Sequence, residues 1–146
     1  MKKKECSVYS ARNIKEIFYH IRTIANLQIL GGCTLIPKIP EKSISVKMTP
    51  ELCQISKHER YIDFGPGTTL SDILAIGERH LPKVFYEALK TIANPRIRNL
   101  ATIGGNIYSF DQKQTLFAPL LALDTKIELR TEEETTYISL QNLSPL

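Results

Sequence analysis

Only three cysteines occur in the 146 residues, Cys6, Cys33 and Cys53, and no two of them form a CxxC pair. That spacing argues against a disulfide framework, a zinc site or a cysteine-held iron-sulfur cluster in this chain, and predicts free thiols. Histidine is equally scarce: His20, His58 and His80 lie far apart, without HxxxH or HxxE spacing, and read as solvated side chains, not metal ligands. No stretch approaches the roughly 20 consecutive apolar residues that a membrane helix needs. The positive N-terminus MKKKECSVYS also lacks the apolar segment of a secretory signal, so a cytoplasmic address with no membrane partner is expected. GxGxxG and a Walker lysine are both missing, which removes the Rossmann and P-loop readings at the residues that would carry them. No side chain stands out as a general acid, base or nucleophile, and nothing repeats at a solenoid period.

What is present is ordinary in amount and uneven in placement. A hydrophobic content of 42% suffices for a buried core, in one compact domain or two small lobes. The net charge of +4 is concentrated early, because residues 1 to 60 hold eleven Lys or Arg against five acids and the remainder eight against ten. Without aromatic residues interleaved among the basic ones, this reads as a solvated basic lobe and not as a nucleic-acid platform.

Hydrophobic spacing predicts the elements. Ile14, Ile17, Phe18, Ile21 and Ile24 recur at helical intervals after Ser10, predicting a serine-capped helix over about 11 to 25. LQIL and SISVKM, residues 27 to 30 and 43 to 48, read as strands, and helix between strands suggests an α/β lobe. YIDFG reads as a strand before the turn GPGTTL, after which Thr69 and Asp72 form a variant capping box for the helix LSDILAIGERH. KVFYEALKTIA predicts a second helix with the stripe Val84, Phe85, Ala88, Leu89 and Ile92, stopped by Asn94 and Pro95. LFAPLLAL predicts a short helix, and KIELR with TYISL an antiparallel hairpin whose tip carries Glu132 to Glu134. The composition shift near His58 to Arg60 divides the chain into an N-terminal α/β lobe, 1–60, and an α+β lobe, 61–146.

Two glycine pairs interrupt this pattern, in QILGGCTLI at 28 to 36 and in RNLATIGGNI at 98 to 107. Each follows an apolar stretch and is followed by hydrogen-bonding side chains, Cys33 and Thr34 in one, Asn106 and Ser109 in the other, with Thr102 just ahead of the second. Adjacent glycines allow positive φ and let backbone amides approach an anion, so paired loops of this kind suit a diphosphate; a tight turn after a strand is the plainer alternative.

RIRNLATIGGNI, with LGGCTL and Leu120 to Thr125, resembles the signature of the FAD-binding subunits and domains of molybdenum hydroxylases, the xanthine dehydrogenase and carbon monoxide dehydrogenase group. In that family an A-T-I-G-G-N loop lies against the flavin dinucleotide, and the likeness extends over essentially the whole chain, IDFGPGTTLSDIL included. It implies the two-lobed α+β FAD-binding fold of the molybdopterin dehydrogenase type, with an antiparallel sheet in the larger lobe. It also implies a cofactor, FAD, held by Leu30, Gly31, Gly32, Cys33, Thr34, Thr102, Gly104, Gly105, Asn106, Tyr108 and Thr115. The implied activity is that of an oxidoreductase subunit not active alone, which passes electrons from a partner iron-sulfur subunit to an acceptor such as NAD, beside a molybdopterin-binding subunit.

Three positions depart from the family pattern. Cys33 stands for its threonine, Thr34 for its aspartate, and Thr115 for an aspartate nine residues after the loop asparagine. Similarly divergent loops place the selenate-reductase-like and hypoxanthine oxidase-like FAD subunits nearest, and a degenerate docking module without flavin is the alternative. Family members normally continue beyond QNLSPL into a further domain, so the second lobe is expected to be shortened. Arg96 and Arg98 read either as phosphate or partner contacts or as fasteners of the loop to nearby carbonyls. Tyr108 reads as touching the cofactor or as packing between lobes. Cys33 reads more simply as a small packing residue than as a redox thiol.

Overall fold

The structure is a computed structural model and describes residues 6–108 and 115–143. Three parallel strands, β1 (Ser7–Ser10), β2 (Gln28–Leu30) and β3 (Lys42–Ser45), form a sheet in the order β1-β3-β2, so the last strand in sequence lies at the centre. Helix α1 (Ile14–Thr23) connects β1 to β2, and Ile17 packs with Ala11, Ile44 and Val46 in a small core. Asn13, not Ser10, caps α1: its side chain accepts the Glu16 amide at 2.9 Å. Ser10 is instead the last residue of β1, a strand that sequence periodicity missed because only Val8 and Tyr9 in it are apolar.

β4 (Ile55–Lys57) pairs antiparallel with β5 (Ile62–Phe64), so the turn of this hairpin contains residue 60, where the lobe boundary was expected. β4 went unnoticed in sequence, since three residues with one apolar side chain carry almost no period. Thr69 caps α2 (Leu70–Ala75), as expected: its hydroxyl accepts the Asp72 amide at 3.1 Å and donates to the Asp72 carboxylate at 2.6 Å. The helix is shorter than predicted because Gly77 takes a φ of 92° and starts a separate 3-10 turn, Glu78–His80.

α3 (Lys83–Thr91) buries Phe85 and Leu89 of its predicted stripe, while Val84 is exposed. Asn94 and Pro95 do not simply stop the chain there. Asn94 accepts the Ile97 amide and caps a further short helix, α4 (Pro95–Arg98), with proline at its first position where no amide is needed. After α5 (Ile103–Tyr108) and α6 (Phe117–Ala122), the antiparallel hairpin of β6 (Lys126–Arg130) and β7 (Thr135–Ser139) forms as predicted. The second and larger core joins α2, α3, α5 and α6 through Leu70, Ile73, Phe85, Leu89, Ile103, Leu116 and Leu120, and includes Leu140. The architecture is α+β. Among the described residues no helix is long and apolar enough to cross a membrane.

Candidate functional site

The two glycine pairs meet. β2 ends at buried Leu30, and the chain then runs directly over the segment Leu100 to Thr102. A Cβ placed on Gly32 would lie 1.7 Å from the Leu100 carbonyl oxygen, and one on Gly31 would lie 2.9 Å from Thr102 Oγ1. Close backbone approach therefore demands glycine at 32. Positive φ, expected of the glycines, falls instead on Cys33, at 56°, and none of the four paired glycines adopts it. The thiol of Cys33 folds back towards the Gly31 carbonyl at 3.7 Å.

The second pair, expected as a loop, is the first turn of α5. Buried Thr102 accepts the Gly105 amide through Oγ1 (3.1 Å) and the Asn106 amide through its carbonyl (3.0 Å). The Gly104 amide donates to Pro66 O at 2.9 Å, and the room for that contact exists only because a Cβ on Gly104 would sit 2.7 Å from Pro66. Thr102 also pairs with Thr69 in an isolated antiparallel bridge, flanked by Leu70 N to Ala101 O (2.9 Å) and Ile103 N to Thr68 O (3.0 Å). The start of α5 is thus fastened to the GPGTTL turn, and the Gly104 and Gly105 amides are committed within the protein.

The first pair differs. The amides of Gly31, Gly32, Cys33 and Thr34 donate to no acceptor among the described residues. A run of free amides bent by a left-handed residue is an anion-binding arrangement. Beside it opens a cleft of about 90 Å³, lined by Thr34, Leu35, Ile92, Ala93, Ile97, Ala101 and Asn106. Asn106 is only 6% exposed, and its Oδ1 is buried with no hydrogen-bond partner among the described residues. Such an acceptor costs about 1–3 kcal/mol unless something donates to it.

Of the residues singled out in sequence, the structure brings Thr34 and Asn106 to one cleft and Gly31 and Gly32 against Leu100 and Thr102. Tyr108, 65% exposed, and exposed Thr115 do not line that cleft, and Ser109 lies outside the described residues. The apolar walls Leu35, Ile92, Ala93 and Ile97 are site residues that the sequence reading lacks; Leu35 follows Thr34 directly, Ile92 ends the α3 stripe with Ala93 next to it, and Ile97 lies on α4 ahead of the second glycine pair. Arg98 resolves as a fastener: its Nη1 donates to Ile92 O at 2.7 Å. His58 pairs with Asp63 at 2.9 Å and stacks on Tyr61, and among the described residues no group of His, Cys, Asp and Glu is placed to hold a metal ion.

A run of backbone amides without acceptors among the described residues, a crossing of two glycine segments and an adjoining apolar cleft with a buried acceptor therefore lie side by side. Consistently, the family described as the FAD binding domain in molybdopterin dehydrogenase matches residues 4–144, and the chain belongs to it. The alpha subunit of the 6-hydroxypseudooxynicotine dehydrogenase complex of Paenarthrobacter nicotinovorans is 30% identical over 123 residues, covering 79% of this chain and 41% of that protein. The xanthine dehydrogenase FAD-binding subunit of Escherichia coli O157:H7 is 34% identical over 76 residues, 51% of this chain and 26% of that one. In structure, a chain of the carbon monoxide dehydrogenase of Hydrogenophaga pseudoflava, in a form lacking the Mo-pyranopterin moiety, superposes with a TM-score of 0.83 at 22% identity, over 94% of this chain and 51% of that one. The chain spans about half or less of the length of these relatives.

Proposed function

We propose that this chain is the FAD-holding part of an oxidoreductase complex related to xanthine dehydrogenase. The observation that carries the proposal is the free-amide run Gly31 to Thr34 set against Thr102 and the orphaned Oδ1 of Asn106. In this reading the four amides and the crossing with Leu100 to Thr102 hold the pyrophosphate of FAD, and Asn106 Oδ1 accepts a hydrogen bond from a ribose or ribityl hydroxyl of the cofactor. Leu30, Gly104 and Gly105 set the backbone course, while Tyr108 and Thr115 flank the cofactor from beyond the cleft. FAD, when bound, exchanges electrons singly or in pairs, which suits a junction between one-electron carriers and a hydride acceptor. The partners in this reading are an iron-sulfur subunit and a molybdopterin-binding subunit, the electrons leave to an acceptor such as NAD, and the setting is the cytoplasm. In this reading the lobes 1–60 and 61–146 contribute one glycine segment each to the cofactor. We group the chain's divergent loops with those of the selenate-reductase-like and hypoxanthine oxidase-like FAD subunits.

A second reading has its own observation. The Gly104 and Gly105 amides are consumed by Pro66 O and Thr102 Oγ1, and Thr34 and Thr115 carry no charge, which favours a docking module that has kept the fold without flavin. An FAD titration of the purified chain separates the two, followed by quenching of flavin fluorescence and by the visible spectrum after desalting. Saturable binding with a retained spectrum is the expected outcome, and absence of binding at high micromolar FAD would favour the docking module.

A further inference from the structure

Arg98 sits half-buried on α4, next to the second glycine segment in sequence but bonded elsewhere. Its Nη1 donates to Ile92 O at 2.7 Å, Ala93 O at 3.2 Å and Lys90 O at 3.4 Å. These carbonyls lie at and just past the C-terminal end of α3, where intrahelical donors run out and the helix dipole favours a cation. The corner they belong to is strained, because Ala93 has a φ of 46°, in a region where a Cβ is disfavoured. A non-glycine residue persists there only when its surroundings hold it.

What the corner builds is one wall of the cleft. Ile92 and Ala93 come from it, Ile97 follows on the helix that carries Arg98, and Asn106 completes the lining with its unpartnered oxygen. We infer that Arg98 is a positioning residue of the cofactor site, clamping the left-handed corner at Ala93 so that Ile92 and Ala93 shape the cleft. It does not act as a phosphate ligand. The inference rests on the FAD reading above. All three bonds leave from one nitrogen, so a lysine ammonium can reproduce the clamp, whereas a forked phosphate contact needs the guanidinium.

The test is FAD titration of the wild type, R98K, R98M and R98M/A93G at two ionic strengths, with thermal unfolding recorded alongside. Arg98→Met is expected to weaken FAD binding about tenfold with an unchanged salt dependence, since no charge is taken from the phosphates. R98K should stay within about threefold of wild type. The added Ala93→Gly should restore most of the affinity, because glycine holds a positive φ without a clamp. A flattened salt dependence in R98M would put Arg98 on the phosphate and overturn the inference, as would wild-type affinity in R98M or no recovery in the double variant. If R98M does not fold, R98K decides: binding within threefold supports the clamp, and a loss of about tenfold or more overturns it. A wild type that fails to bind FAD would instead sink the flavin reading itself.

Discussion

The two glycine pairs share a dipeptide and little else. Gly31 and Gly32 follow a parallel strand, Gly31 meets the Thr102 side chain, Gly32 presses on the backbone of Leu100, and the four successive amides through Thr34 have no acceptor among the described residues. Gly104 and Gly105 open a helix, and their amides are spent on Pro66 and Thr102. One segment keeps its amides out of the protein's own hydrogen bonding; the other is a structural floor that the first crosses. The comparison teaches that glycine here serves backbone proximity, and that the left-handed residue within the amide run is Cys33.

Substitution at Gly32 should have the largest effect. Gly32→Ala drives a Cβ into the Leu100 carbonyl, with no flexible side chain able to yield, so a loss of about 3 kcal/mol is expected in urea unfolding, together with loss of FAD binding. Asn106→Leu should separate site from fold. Removing an orphaned acceptor leaves stability unchanged or slightly higher in the same assay, while FAD affinity falls about tenfold.

Gly105→Asp probes the second segment from the opposite side. Its Cβ would meet only Thr102 Oγ1, at 3.1 Å, and a carboxylate in the first turn of α5 suits the helix dipole, so thermal stability should hold. FAD affinity should fall several-fold by repulsion if the start of α5 faces the pyrophosphate, and an unchanged affinity would confine the anion site to the first segment. The smallest effect is a footprint by thiol alkylation read by mass spectrometry. FAD should slow labelling of Cys33 in the nest and leave Cys53 alone; burial and, secondarily, the charge of Asp72 push the Cys53 thiol up, so it should label slowly at pH 8 with or without FAD.

Much of the fold was legible because its signals are local. Thr69 with Asp72 announced the start of α2, the alternation in KIELR and TYISL announced β6 and β7, and the spacing of Phe85 and Leu89 announced the buried face of α3. Elements too short to show a period escaped: β1, β4 and α4 hold three or four residues each and owe their conformation to partners in β3, in β5 and in the Asn94 cap. Ser10 looked like a helix cap and turned out to end a strand, because a serine before an apolar run reads alike in both roles.

The glycine pairs, the threonine ahead of the second and the asparagine after it were readable as a cofactor signature, since they are local in sequence and resemble the loops of a known family. Their division of labour was not. That Gly32 lies on the Leu100 carbonyl, that the Gly104 amide is answered by Pro66, and that Arg98 reaches back to Ile92 are contacts between segments tens of residues apart or across a strained corner. Hydrogen bonding and exclusion of atoms act over a few ångströms in space, so the sequence by itself determined which residues were available, and only the tertiary structure decided which amides remained free for a ligand.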